Sequence, residues 1–346
     1  MGIACFQFPA VKGCQANREY YISMVPLEVI PRIFQFVDEE LPPEVRAQRI
    51  LNKSRIPAIR DYILDNPNNY VFSSMTVSVD GDLKFIPLDI NDPSLGHISI
   101  PMNARFLIND GQHRRAAIAE AIKKNPNLKN EHISVVFYKD EGLLRSQQMF
   151  SDLNKFANRP TKSINILFDN RENISLIAKR VSDEVPAFQG LTEKEHSSVS
   201  DRSKALFTLS AICTATENLL RGSCLSIEEQ SDLAVKFWTE VSGHMPQWIA
   251  VKNLSMKSSE VRKYYISSLS ITLAALGDGG NSLIRTKKNW EYALSALDSV
   301  DWNKDNPVWK NLVFINGKVA ANRSTQRAMS EYIKQLFTGK VGAHNG

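Results

Sequence analysis

The chain has 346 residues, 43% of them hydrophobic, with a formal net charge of +5. That length suits two domains or one domain with a large extension, and the hydrophobic share can bury a sizeable core. The mild positive charge permits a polyanionic partner without demanding one, and no apolar run reaches the ~18 residues that a membrane span needs.

Met1 to Gly13, MGIACFQFPAVKG, lacks the long apolar core of a signal peptide. Phe6 stands where a myristoylation motif needs Ser or Thr. A cytoplasmic protein is the expectation. Glu19 to Val25 predicts a strand, and Pro26 opens a short helical pattern through Ile33 and Phe36. Ile56 to Ile63 predicts a helix, with Pro57 in its first turn, where a missing N–H costs little. Val71–Val79 and Leu83–Leu88 are rich in β-formers and flank Asp80-Gly81, which predicts a hairpin. Phe106-Leu107-Ile108 reads as a short buried strand, followed by a helix from about Gly111 to Lys124. Ile133–Tyr138 predicts a strand and Leu143–Phe156 a helix. This first region, residues 1–162, predicts a compact α/β or α+β domain.

From residue 163 to 346 the pattern is mostly helical, over roughly 164–183, 201–220, 226–242, 257–275, 286–298 and 321–337. Gly277-Asp278-Gly279-Gly280 reads as punctuation between helices. Lys340 to Gly346 reads as a frayed tail.

One stretch stands out, Asn109-Asp110-Gly111-Gln112-His113-Arg114-Arg115. A strand ends in turn chemistry and a helix begins at once, yet its first turn carries two arginines. The helix dipole already presents partial positive charge there. Backbone N–H groups at such an end have no intrahelical partner and form a ready anion site. Gly111 lets the backbone approach a bound group, and Arg114 and Arg115 offer bidentate donors to phosphate. His113 can exchange a proton near neutral pH, and Gln112 is an uncharged hydrogen-bonding group. Asp110 could cap the helix, hold an arginine or help place a metal ion. The alternative is an ordinary cap by Asp110 with both arginines in solvent.

A second cluster, MFSDLNKFANRPTKS at residues 149–163, closes the following helix. Asp152 and Asn154 sit near that helix's end, with Lys155, Arg159 and Lys162 adding positive charge, Pro160 stopping the helix, and Thr161 or Ser163 placed to cap the next one. A solvated helix end reads equally well here.

The run Asp110-Gly111-Gln112-His113-Arg114, together with the SDLN and NRPTKS stretches, resembles the DGQHR family, and within it the DndB-like proteins of bacterial DNA sulfur modification. The resemblance implies an α+β protein: a ParB/sulfiredoxin-like N-terminal α/β domain whose Gly-x-x-Arg turn faces nucleotide phosphates, followed by a mostly helical C-terminal domain. It implies a protein dispensable for the modification chemistry, which places sulfur on the DNA backbone, and acting instead as a negative regulator that binds promoter DNA. Gln112 occupies the position of the reactive cysteine of sulfiredoxin and cannot be a thiolate nucleophile. The same glutamine departs from the acidic residue usual in ParB proteins, which puts CTP hydrolysis in doubt while leaving phosphate binding open.

Other chemistry finds little support. His97, His132, His196, His244 and His344 form no HExxH, the four cysteines Cys5, Cys14, Cys213 and Cys224 form no CxxC, and neither a P-loop nor a GxSxG elbow occurs. Metal ligands are therefore not assigned. DNA binding needs basic residues on one face. The last helical segment, residues 317–337, carries Lys318, Arg323, Arg327 and Lys334, with Ser324, Thr325 and Gln326 available for phosphates or base edges. MKSSEVRKYY at 256–265 and IRTKKNW at 284–290 are also basic. For any single cluster a solvated helix face is the simpler account.

Three functions follow as expectations. The first is a repressor of the DNA phosphorothioation gene cluster, binding double-stranded promoter DNA. The second is a hydrolase of ATP or CTP, with Asp110 or Asp152 helping to hold a divalent metal. The third is a DNA-backbone-binding module that works with other DNA modification proteins. A homodimer would suit a two-fold operator.

Overall fold

The computed structural model describes residues 4–34, 51–155, 160–287, 289–310 and 312–339. Phe36, Phe156, Arg159 and the tail from Lys340 lie outside the described residues. The chain is a mixed α+β protein that divides into two compact units, Met1–Asn158 and Arg159–Gly346.

Unit 1 is built on a seven-stranded mixed sheet. Its strands are β1 (Cys5–Gln15), β2 (Arg18–Pro26), β3 (Met75–Asp80), β4 (Lys84–Pro87), β5 (Leu95–Pro101), β6 (Arg105–Asp110) and β7 (His132–Lys139), in the spatial order β4-β5-β1-β2-β7-β3-β6. Only β3 and β7 run parallel; the other pairs are antiparallel. Alternation fixes which face is buried, because successive strand side chains point to opposite sides. In β7, Ile133, Val135 and Phe137 are buried. Phe8 and Ala10 of β1 join the same core. Against this core pack Ile30 and Ile33 of α1 (Ile30–Ile33), Ile63 of α2 (Ile56–Asp65), and Ile118 and Ala121 of α3 (Gln112–Lys124). A fourth helix, α4 (Leu143–Lys155), meets β6, and Met149 accepts a contact from Asn109 Nδ2 at 3.1 Å.

The expected hairpin at Asp80-Gly81 does not form. β3 pairs with β6 and β7, while β4 pairs with β5 at the opposite edge of the sheet. A type I′ turn needs positive φ at both central residues, and Gly81 does not adopt one. The tight turn of unit 1 is instead Ala16-Asn17, with φ of 51° and 61°, joining β1 to β2.

Unit 2 is helical: α5 (Lys162–Phe168), α6 (Asn173–Glu184), α7 (Leu209–Leu220), α8 (Ile227–Gly243), α9 (Pro246–Lys252), α10 (Ser258–Tyr264), α11 (Ser270–Thr286) and α12 (Arg323–Phe337). Two short pairs, β8 (Thr192–Glu193) with β9 (Phe207–Thr208) and β10 (Phe314–Ile315) with β11 (Lys318–Val319), complete it. The pattern over 164–183 is two helices. Asp169 breaks it by accepting the N–H groups of Arg171 and Glu172 at 2.9 and 3.2 Å, and the Ser175 hydroxyl at 3.1 Å. Where a helical pattern is expected over 286–298, the structure has a 3-10 segment, Glu291–Ser299. All five tryptophans, Trp238, Trp248, Trp290, Trp302 and Trp309, are buried in this unit.

Gly277-Asp278-Gly279-Gly280 is not punctuation; it lies inside α11. Interior glycine costs a helix roughly 1 kcal/mol per residue relative to alanine, and packing offsets that here. A Cβ on Gly277 would stand 2.0 Å from the Ala215 carbonyl of α7, one on Gly279 2.5 Å from Ile333 of α12, and one on Gly280 2.3 Å from Phe237 of α8. The glycines let three helices close on α11 at once.

Candidate functional site

The 110–115 turn forms where β6 ends. Gly111 has φ +109° and is the N-cap of α3, with no side chain capping the helix. An added Cβ would come within 2.8 Å of Met75 Cγ. Asp110 is not the cap. It accepts from Arg114 Nη2 at 2.6 Å, an ion pair one turn along the helix. Arg114 Nη1 donates to the carbonyls of Ser73 at 2.6 Å and Ser74 at 3.2 Å, and to the Ser73 hydroxyl. Arg115 turns elsewhere: its Nε donates to Phe34 O at 2.7 Å and its Nη2 to Pro31 O at 2.9 Å. Burial lowers the Arg115 guanidinium from its usual value.

The expected convergence of Arg114 and Arg115 on one anion is therefore replaced by two separate locks. One ties α3 to the residues before β3, the other ties α3 to α1. Carbonyl and carboxylate oxygens within the protein balance the two cations, so no bound anion is needed to account for them. His113 Nε2 accepts from the Asn52 N–H at 3.2 Å. Gln112 is 8% exposed, and its Nε2 is buried without a hydrogen-bond partner, as is Asn109 Oδ1.

The 149–163 cluster is divided between the units. Asp152 accepts from Gln148 Nε2 at 2.7 Å, and Asn154 Nδ2 donates back to Phe150 O at 2.7 Å. Both are exposed on the last turns of α4, and no hydrogen bond or ion pair joins either to residues 110–115. Thr161 caps α5 by accepting from Ile164 N, and it donates to Glu195 O. Ser163 donates to His196 O at 3.0 Å, and Lys162 Nζ donates to Thr214 Oγ1 at 2.9 Å. Among the described residues, no group of three or more His, Cys, Asp or Glu could hold a metal ion.

The basic C-terminal segment is a hairpin followed by a helix, and the helix expected over 321–337 forms as α12. Asn316-Gly317, with φ of 51° and 74°, turns β10 into β11, and Lys318 is exposed on β11. Asn322 then caps α12, its Oδ1 accepting from Ser324 N and Thr325 N at 3.0 Å each and from Ser324 Oγ at 2.6 Å. Thr325 is buried and donates to Ala320 O at 2.7 Å. Ser324 and Thr325 are thus committed to starting the helix, not to reading DNA. Gln326 donates to Ala321 O at 3.3 Å.

Arg323, Gln326, Arg327, Ser330, Glu331 and Lys334 share one face, as residues three and four apart on a helix do. They line a groove of ≈ 540 Å3 with Asn218 and Arg221 of the α7 end and Asp278 of α11. Asp278 holds two cations, Lys334 Nζ at 2.7 Å and Arg221 Nη1 at 3.2 Å. Arg323 and Arg327 are exposed, and among the described residues their side chains make no hydrogen bond or ion pair. Asp278 and Arg221 were not apparent as site residues from the sequence, because the glycines around Asp278 resemble a loop. In the other basic stretches, Arg262 and Lys287 are tied to backbone carbonyls. Arg262 donates to the carbonyls of Ser200, Asp201, Ser203 and Ala205, and Lys287 donates to Phe337 O at 3.0 Å.

An α+β unit with a locked strand–glycine–helix turn is thus joined to a helical unit with a cationic groove. The family model DndB, described as DNA-sulfur modification-associated, matches residues 8–339. The chain belongs to that family, which links it to DNA sulfur modification. Neither a curated protein nor a solved structure matches it. No helix among the described residues is long and apolar enough to cross a membrane.

Proposed function

We propose that this protein is a DNA-binding negative regulator of the DNA sulfur modification genes, and that unit 2 makes the DNA contact. The reading rests on one observation beyond family membership: Arg323 and Arg327 stand one turn apart on α12, exposed, with no side-chain partner among the described residues. Unpaired guanidiniums on one helix face are the groups that phosphate recognition uses. Lys318, exposed on the preceding hairpin, extends the basic surface, whereas Lys334, further along the same helix, is held by Asp278. Unit 1 acts in this proposal as a ParB-like domain whose strand–glycine–helix turn is held by Arg114 and Arg115. A two-fold operator would be matched by a homodimer working in the cytoplasm.

The test is a gel-shift series with the full chain on the DNA upstream of its own gene cluster and on random duplex of equal length. Tighter binding to the upstream DNA is the expected result, weakening steeply with salt. Equal affinity for both duplexes removes the repressor.

A second reading draws on Gln112. Its unpaired, buried Nε2 lies in the first turn of a helix that no side chain caps, where a nucleotide phosphate would find donors. In that case the protein releases phosphate from ATP or CTP, and Gln112→Ala slows it. Absence of turnover in the wild type disposes of this reading.

A further inference from the structure

The cations of the α12 groove fall into two classes. Arg323 and Arg327 are unpaired, whereas Arg221 and Lys334 are both held by the Asp278 carboxylate. Arg221 is further held by Asn218 Oδ1. Asp278 is itself only 18% exposed at the side chain. It is fixed by the glycine-rich stretch that seats α11 against α7 and α12. The lining contains no aromatic ring, so nothing offers a stacking platform for an unpaired base. What remains is recognition of phosphate.

We infer that Asp278 is a positioning residue that limits how many phosphates this groove engages. Two backbone phosphates of duplex DNA meet Arg323 and Arg327, while Asp278 keeps Arg221 and Lys334 from adding two more contacts. This inference rests on the DNA-binding reading above and concerns the regulation of that same surface. Each phosphate neutralised by a cation releases counterions, so the count is measurable: the slope of log affinity against log salt is about −0.9 per contact. A ceiling on contacts keeps the affinity low enough for the protein to leave DNA as salt or competing sites change.

The experiment is a salt titration of the full chain on one duplex of fixed length, with thermal unfolding of every variant. Arg323→Ala with Arg327→Ala should make the slope shallower by about 2. Asp278→Asn should make it steeper by about 2 and tighten binding at low salt. Arg221→Ala with Lys334→Ala should leave the wild-type slope unchanged, and this arm decides the matter if Asp278→Asn fails to fold. Free CTP, which offers the same phosphate chemistry without a duplex, should not displace DNA at equal phosphate concentration.

A wild type that does not bind DNA, or that keeps its slope when both unpaired arginines are removed, defeats the DNA-binding reading and this inference together. If those arginines matter but Asp278→Asn leaves the slope alone, or the Arg221/Lys334 variant flattens it, only the role given to Asp278 is lost. Displacement by CTP would assign the groove to a nucleotide instead.

Discussion

Arg114 and Arg115 in unit 1 and Arg323 and Arg327 in unit 2 are the same chemical groups near helix starts, with opposite fates. The first pair is surrounded by carbonyls from two separate segments and by Asp110. The second pair faces open solvent. A buried or half-buried guanidinium needs acceptors, because an unsatisfied charge in the interior is expensive. An exposed one needs none and stays available to a ligand. The comparison teaches that a motif rich in arginine is not by itself a binding site; the oxygens already around it decide.

The sharpest tests separate what holds each unit together internally from what lies free on its surface. Gly277→Ala should be the most damaging change, about 3 kcal/mol by chemical denaturation, because the new methyl meets the Ala215 carbonyl. An ordinary interior Gly→Ala change would stabilise a helix by about 1 kcal/mol, so a stabilised variant would break the account of α11. Arg115→Ala should follow, losing about 2 kcal/mol as Phe34 O and Pro31 O lose a charged donor. Gly111→Ala should lose about 1–3 kcal/mol, since φ +109° strains any other residue. Arg327→Ala should move stability by no more than about 0.5 kcal/mol. If Arg115→Ala and Arg327→Ala had equal effects on unfolding, the distinction between the two pairs would disappear.

The smallest effect is chemical. Cys14 and Cys224 are exposed and should react with a thiol reagent in the folded protein. Burial pushes the Cys213 thiol up to about 11. Its folded value lies above that of an unfolded thiol, about 8.5. The contribution of Cys213 to stability is therefore complete below that lower value and fades as pH rises towards 11. Labelling of Cys213 should appear only in that alkaline window or on unfolding, as peptide mass mapping would reveal.

Much of this was legible in the residues. The start of α3 after Gly111, the alternation of Ile133 to Tyr138 and the basic face of α12 all followed from period and turn chemistry. Asp80-Gly81 misled because a dipeptide favours a turn but cannot choose which strands pair. Tertiary contact placed β4 at the other edge of the sheet. Asn316-Gly317, between the helical patterns over 286–298 and 321–337, is the better hairpin signal and does turn β10 into β11. The pairing of Asp110 with Arg114 is one of the local readings, but the carbonyl partners of Arg114 and Arg115 lie tens of residues away in sequence, at 31, 34, 73 and 74. No local pattern could have named them. The same holds for Asp278, whose meaning depends on α7 and α12 arriving beside it.

The uneven placement of tryptophan has a practical consequence. Because all five indoles are buried in unit 2, emission excited near 295 nm, roughly where tryptophan alone absorbs, is a private optical channel for the helical half. Melting of the β-sheet half would pass unseen in that channel while altering the circular dichroism, so two simple spectra can time the two halves independently.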